Sequence, residues 1–127
     1  MTGLWVDAVA RRLKYGNKPT IVGGIRFASQ AEARRWGELR LLEKAGEIRR
    51  LRQQEKFDLR IFPNVADADY SVLIGRYYAD FAYAVMRGGK EHQIAEDVKG
   101  VMTPVFRLKA KLFAALYPAW ELRIVKA

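Results

Sequence analysis

Two aspartates and a lysine stand out as residues whose types and spacing could do chemistry. Asp80 sits inside the aromatic run at positions 76–86 (RYYADFAYAVM), a β-like setting in which aspartate is disfavoured. Asp97 and Lys99 belong to the following run, positions 91–100 (EHQIAEDVKG). Between them lies Arg87-Gly88-Gly89-Lys90, the composition of a tight β-hairpin. A turn centred between Gly88 and Gly89 pairs Arg87 with Lys90. Counting outward, it also sets Asp80 opposite Asp97 and Tyr78 opposite Lys99. The two aspartate Cβ atoms would then lie about 4.5–5.5 Å apart on one face. Carboxylates placed in that way repel, so the pair is expected to hold a cation or share a proton. Lys99 follows Asp97 by two residues and shares its face. The plainer alternative is a surface strand with an Asp97–Lys99 ion pair and Asp80 capping a loop.

Two facing carboxylates suit a hard cation with oxygen ligands, Mg²⁺ or Mn²⁺, with the backbone carbonyl of Val98 as a further ligand. Such an ion polarises a phosphodiester and helps form hydroxide from bound water. Lys99 would orient that water or offset charge in the transition state.

The chain that must position these groups has 127 residues, room for one domain. Half of it is hydrophobic, with three Trp, six Tyr and six Phe, so a packed core is expected rather than disorder. The absence of Cys excludes disulfides, thiol nucleophiles and cysteine-ligated metals, and the single His92 excludes multi-His sites. No phosphate-cradling glycine loop is present, so no nucleotide cofactor is expected. Neither a membrane-spanning run nor a secretory signal is seen, and a cytoplasmic location is expected. The net charge of +9 points to a polyanionic partner, DNA foremost.

Residues 1–18 read as a basic arm and residues 19–127 as a single domain. Positions 20–27 read as two short strands around Gly23-Gly24. Ser29 and Glu32 form a capping box for a helix that ends at Gly46, with Trp36, Leu39 and Leu42 as its apolar stripe. In positions 48–61, Leu51, Phe57, Leu59 and Ile61 share one parity, and Arg50, Arg52, Gln54, Lys56 and Arg60 the other. That predicts a half-buried strand or strand pair with a basic outer face. Positions 62–75 read as a loop. Thr103-Pro104 opens a second helix, whose apolar arc is Leu108, Leu112, Phe113 and Leu116, and positions 120–125 form a last strand. The order predicts an α/β domain with one central sheet.

The pattern Y-A-D-F, a glycine hairpin and E-D-V-K-G resembles motifs II and III of the PD-(D/E)XK nuclease superfamily. Phe27–Trp36, Leu51–Leu59 and T-P-x-F-x-L-K-x-K-L-F extend the match over about residues 14–125. The chain looks like a phage-encoded family of small proteins of unknown function, similar to Holliday-junction resolvases and transposon-end endonucleases. The resemblance implies a restriction-endonuclease-like core, in which a mixed four-stranded sheet is flanked by helices. It also implies a metal-dependent DNA endonuclease that acts on branched DNA. Asp80 and Asp97 would bind metal, Lys99 would serve the attacking water, and Glu32 matches the first-helix glutamate that reaches the site. Glu32 is equally the capping-box glutamate. Alternation turns Glu96 to the opposite face, whereas a bulge would exchange it with Asp97. A resolvase role implies a two-fold homodimer, for which no sequence feature decides. The alternative function is a catalytically silent nuclease fold that binds DNA or a phage or host partner.

Lys109 lies inside the apolar arc of the second helix, as a lysine reaching toward phosphate or one snorkelling past a packed edge. Gln54 matches a strand glutamine of the family. Lys14, Lys18, Arg50, Arg52, Lys56 and Lys111 complete the expected DNA-binding set. If about six phosphate contacts form, log K measured across a salt series falls with log salt at a slope of about −5.

Overall fold

The computed structural model describes residues 18–127, so the basic arm, Lys14 included, lies outside the described residues. The elements are β1 (Thr20–Val22), β2 (Ile25–Phe27), α1 (Gln30–Lys44), β3 (Arg49–Ile61), β4 (Val72–Arg87), β5 (Lys90–Lys99), α2 (Pro104–Leu116) and β6 (Trp120–Lys126). The fold is α/β. A mixed four-stranded sheet of order β3-β4-β5-β6 carries the two helices, and β1 and β2 form a separate antiparallel pair. β5 and β6 are parallel, with α2 as the crossover that such a pair requires.

Both helices begin where the sequence places caps. The Ser29 hydroxyl accepts from the Glu32 backbone N–H at 3.1 Å, and the Thr103 hydroxyl accepts from the Phe106 N–H at 3.1 Å. Past the end of α1, Gly46 adopts φ 80°, which satisfies the last carbonyls as a left-handed stop. On one side of the sheet Ile48, Phe81, Tyr83 and Ile94 pack with Leu39 of α1. On the other, Phe57, Leu59, Tyr77 and Ala95 pack with Phe113 of α2.

The two cores expose a reversal inside the sheet. Regular alternation would keep Tyr77, Ala79, Phe81 and Tyr83 on one face. Tyr77 and Ala79 instead join the α2 side, and Phe81 and Tyr83 join the α1 side. β3 reverses at the same level, since Phe57 and Leu59 lie on the α2 side while Leu51 packs on the α1 side. Glu55 pairs with Ala79 and Gln53 with Phe81, which leaves Gln54 and Asp80 at the turnover. Gln54 has φ 51°, a left-handed conformation that flips the direction of all later side chains. Arg50 has φ 55° at a second irregularity, between Arg49 and Arg52.

Three expectations are corrected by this geometry. Positions 48–61 form one strand but not one basic face. The Arg52 guanidinium stands over the Trp120 ring at 5.7 Å, on the α2 side, whereas Lys56 alternates away from Phe57 on the other side. The loop after β3 ends at residue 71, because Val72 and Leu73 pair with Ile61 and Arg60 and lengthen β4. Leu108 is exposed, because the inward arc of α2 runs through Phe106, Ala110 and Phe113.

Removing the Cβ at the turnover should relieve its strain. Gln54→Gly is expected to raise stability by about 0.5 kcal/mol, and Gln54→Val to lower it by about 1 kcal/mol, as read by urea denaturation.

Candidate active site

The β4–β5 hairpin has the register its glycines dictate. Gly88 and Gly89 adopt φ 56° and 78°, as a two-residue turn of this kind requires, and Arg87 pairs with Lys90. Pairing continues to Phe81 opposite Glu96 and stops there. One residue further, where Asp80 was expected to oppose Asp97, a side chain replaces the ladder. Asp80 Oδ2 accepts from the Val98 backbone N–H at 2.9 Å. Val98 thus donates its backbone N–H to Asp80.

Asp97 lies on the α2 side, two residues beyond Ala95 and so on the same face. Its Oδ2 accepts from the Tyr77 hydroxyl, and its Oδ1 lies 3.5 Å from the Lys99 Nζ. That Nζ also stands 4.4 Å from the Phe106 ring centroid, held by a cation–π contact. Glu32, Asp80 and Asp97 are all buried, at 2%, 3% and 1% exposure. Tyr77 is a residue that regular alternation hides. It would point away from Asp97 if β4 did not reverse at Asp80. Tyr78, expected opposite Lys99, lies beyond the last β4–β5 pair, keeps only its β3 partner Lys56, and has a buried hydroxyl with no hydrogen-bond partner among the described residues.

The expected side assignment of Glu96 holds. Arg35 of α1 grips its carboxylate with two bonds, Nε to Oε2 at 2.7 Å and Nη2 to Oε1 at 3.0 Å. The Tyr83 hydroxyl donates to Oε1 at 2.6 Å, and Arg123 of β6 donates to that hydroxyl at 3.1 Å. Sequence reasoning missed this network because Arg35 lies 61 residues from Glu96. Bonding to Glu96 raises the Arg35 pKa, while burial, then the bond to Glu96, push the Tyr83 hydroxyl up to about 12.

Two buried carboxylates are hard oxygen donors. They fit Mg²⁺ or Mn²⁺, which are held by one or two carboxylates while water and phosphate complete the shell. Among the described residues, no three His, Cys, Asp or Glu side chains form a metal-holding group, so Glu32 completes no such cluster.

The sequence matches the family described as a protein of unknown function (DUF1064) over residues 12–127. The chain belongs to the DUF1064 family. No curated protein and no solved structure matches it.

In this DUF1064 chain the expected DNA-binding residues fall into two groups. Lys18, Lys56 and Lys111 are exposed, and Lys109 and Gln54 are half-buried. Arg50 is paired with Glu91, and Arg52 with Glu55 at 2.8 Å. Among the described residues, no helix is long and apolar enough to cross a membrane.

The Tyr83 shift makes stability depend on alkaline pH. The folded chain keeps this proton above pH 10, where an unfolded tyrosine loses it, so the contribution is full below pH 10 and is lost as pH rises toward about 12. Denaturation curves should show a loss of about 2 kcal/mol over that interval, and Tyr83→Phe should abolish that component.

Proposed function

We propose that this protein is a divalent-metal-dependent DNA endonuclease of the PD-(D/E)XK type, acting on branched or structured DNA in the cytoplasm of a phage host. One observation carries the reading. Asp80 and Asp97 are both buried where the β4–β5 ladder ends, Asp80 bonded to the N–H of Val98, the residue after Asp97, and the Lys99 amine lies 3.5 Å from Asp97. A core that sought only stability would gain from apolar residues there.

Asp80 and Asp97 would hold the metal. When bound, the ion would polarise a phosphodiester and lower the pKa of a bound water. The bond from Val98 N–H fixes the Asp80 carboxylate, and Tyr77 fixes that of Asp97. Lys99, half-buried against Phe106, would orient the attacking water or offset charge on the scissile phosphate. Lys18 and Lys56 are exposed cations for the DNA backbone.

A specific observation favours the second reading, a silent nuclease fold that only binds. Both Asp97 oxygens already have protein partners, one from Tyr77 and one from Lys99, and so are compensated without an ion.

A cleavage assay separates the two readings. Wild type, Lys99→Ala and Asp80→Asn would be incubated with labelled duplex, flap, four-way junction and plasmid, with Mg²⁺, Mn²⁺ or chelator. The endonuclease reading expects metal-dependent cutting that falls at least about 100-fold in both variants while DNA binding persists. DNA binding without cutting by wild type selects the silent binder, and normal cutting by Asp80→Asn removes Asp80 from the site.

A further inference from the structure

Two exposed surfaces far apart in sequence carry apolar side chains and charges of opposite sign. The first is the tip of the β3–β4 hairpin, positions 62–71, where every residue but Ser71 is exposed. Phe62, Val65 and Tyr70 stand out from it, with Val65 at 97% exposure. The tip is internally ordered. Asn64 Oδ1 accepts from the Ala66 N–H at 3.0 Å, and Asp67 Oδ1 accepts from the Asp69 N–H at 3.1 Å. Such turns pre-organise a loop and lower the entropy cost of docking it.

The second surface is the outer side of α2 and the turn before it. Val105 and Leu108 lie one turn apart on α2 and Val101 lies in the turn before it; all three are exposed, Val101 at 75%. Arg107 and Lys111 flank the stripe, also exposed. The exposure of Leu108 is what the sequence reading missed, and this stripe is where it belongs.

The charges decide the partner. Among the described residues the exposed carboxylates of Glu38, Glu91 and Glu121 are each paired with an arginine, while Glu47, past the end of α1, makes no ion pair. Asp67 and Asp69 make no ion pair there, and neither do Arg107 and Lys111. An apolar tip with two unpaired carboxylates is repelled by nucleic acid and by anionic lipid. It fits a basic, apolar stripe, and this chain presents one.

We infer that two copies of the chain associate through these surfaces, the hairpin tip of each docking on the α2 stripe of the other. A two-fold axis makes both contacts at once and closes the assembly as a dimer. Phe62, Val65 and Tyr70 supply the apolar area, against Val101, Val105 and Leu108. Asp67 and Asp69 meet Arg107 and Lys111 at the rim, where charge sets register and partner choice. The dimer stands independently of any catalytic activity.

Sedimentation velocity on the full chain over a concentration series tests this, with two double variants, Asp67→Lys/Asp69→Lys and Arg107→Glu/Lys111→Glu. All four positions are exposed, and far-UV circular dichroism checks the fold. Wild type should sediment as a dimer. Each variant alone places like charges in both contacts, so its dimer Kd should rise at least about tenfold. An equimolar mixture should dimerise again, because in the heterodimer a basic tip meets an acidic stripe and an acidic tip meets a basic one. A wild type that stays monomeric overturns the inference. So do variants that dimerise normally or a mixture that stays monomeric. If the chain is monomeric and Arg107→Glu/Lys111→Glu weakens duplex binding, the stripe belongs to a nucleic-acid face instead.

Discussion

The reversal of β3 and β4 at Gln54 and Asp80 is the constraint on which the rest of the structure depends. A strand of regular alternation offers one set of side chains to each side along its whole length. Here the odd positions of β4 serve α2 up to Ala79 and α1 from Phe81 onward. One left-handed residue, Gln54, lets a single long hairpin line two cores in turn. Without it, Tyr77 and Phe81 would compete for one layer, and the other side would lack aromatic filling.

The same turnover prepares the polar centre. At its level the β4–β5 ladder ends, and the Val98 N–H, left without a strand partner from β4, takes the Asp80 carboxylate instead. A buried donor without an acceptor costs about 1–3 kcal/mol, so Asp80 satisfies backbone while it brings a charge inside. Below the turnover, Tyr77 comes onto the face of Asp97 and donates to it. Lys99 then has Asp97 on one side and the Phe106 ring on the other, so an amine is held beside a carboxylate with little freedom.

The opposite face of β5 carries an independent polar cluster. Glu96 is fully buried, and its charge is matched by a two-bond grip from Arg35 and a bond from Tyr83. Removing one partner of such a group is costly because the other remains buried and charged. The cluster ties α1 to β5 and, through Arg123, to β6. Neighbouring acidic residues on β5 thus do different work. Glu96 joins the helix to the sheet, and Asp97 belongs to the candidate site.

Local chemistry determined much of this protein from sequence alone. The Ser29 and Thr103 caps, the Gly46 stop, the Gly88-Gly89 turn and its register, and the element order all follow from residues near each other in the chain. So does the placement of Asp97 and Lys99 on one face, since alternation in β5 is undisturbed. Only the tertiary structure decided the sidedness of β3 and β4, because a glutamine gives no warning that it will adopt a left-handed backbone. The reversal brought Tyr77 to Asp97 and separated Arg52 from Lys56. Partners far apart in sequence, Arg35 with Glu96 above all, meet through packing rather than through any local pattern. The face of α2 that stays uncovered was likewise settled by packing, since periodicity marks an apolar arc but not which edge of it the sheet will bury.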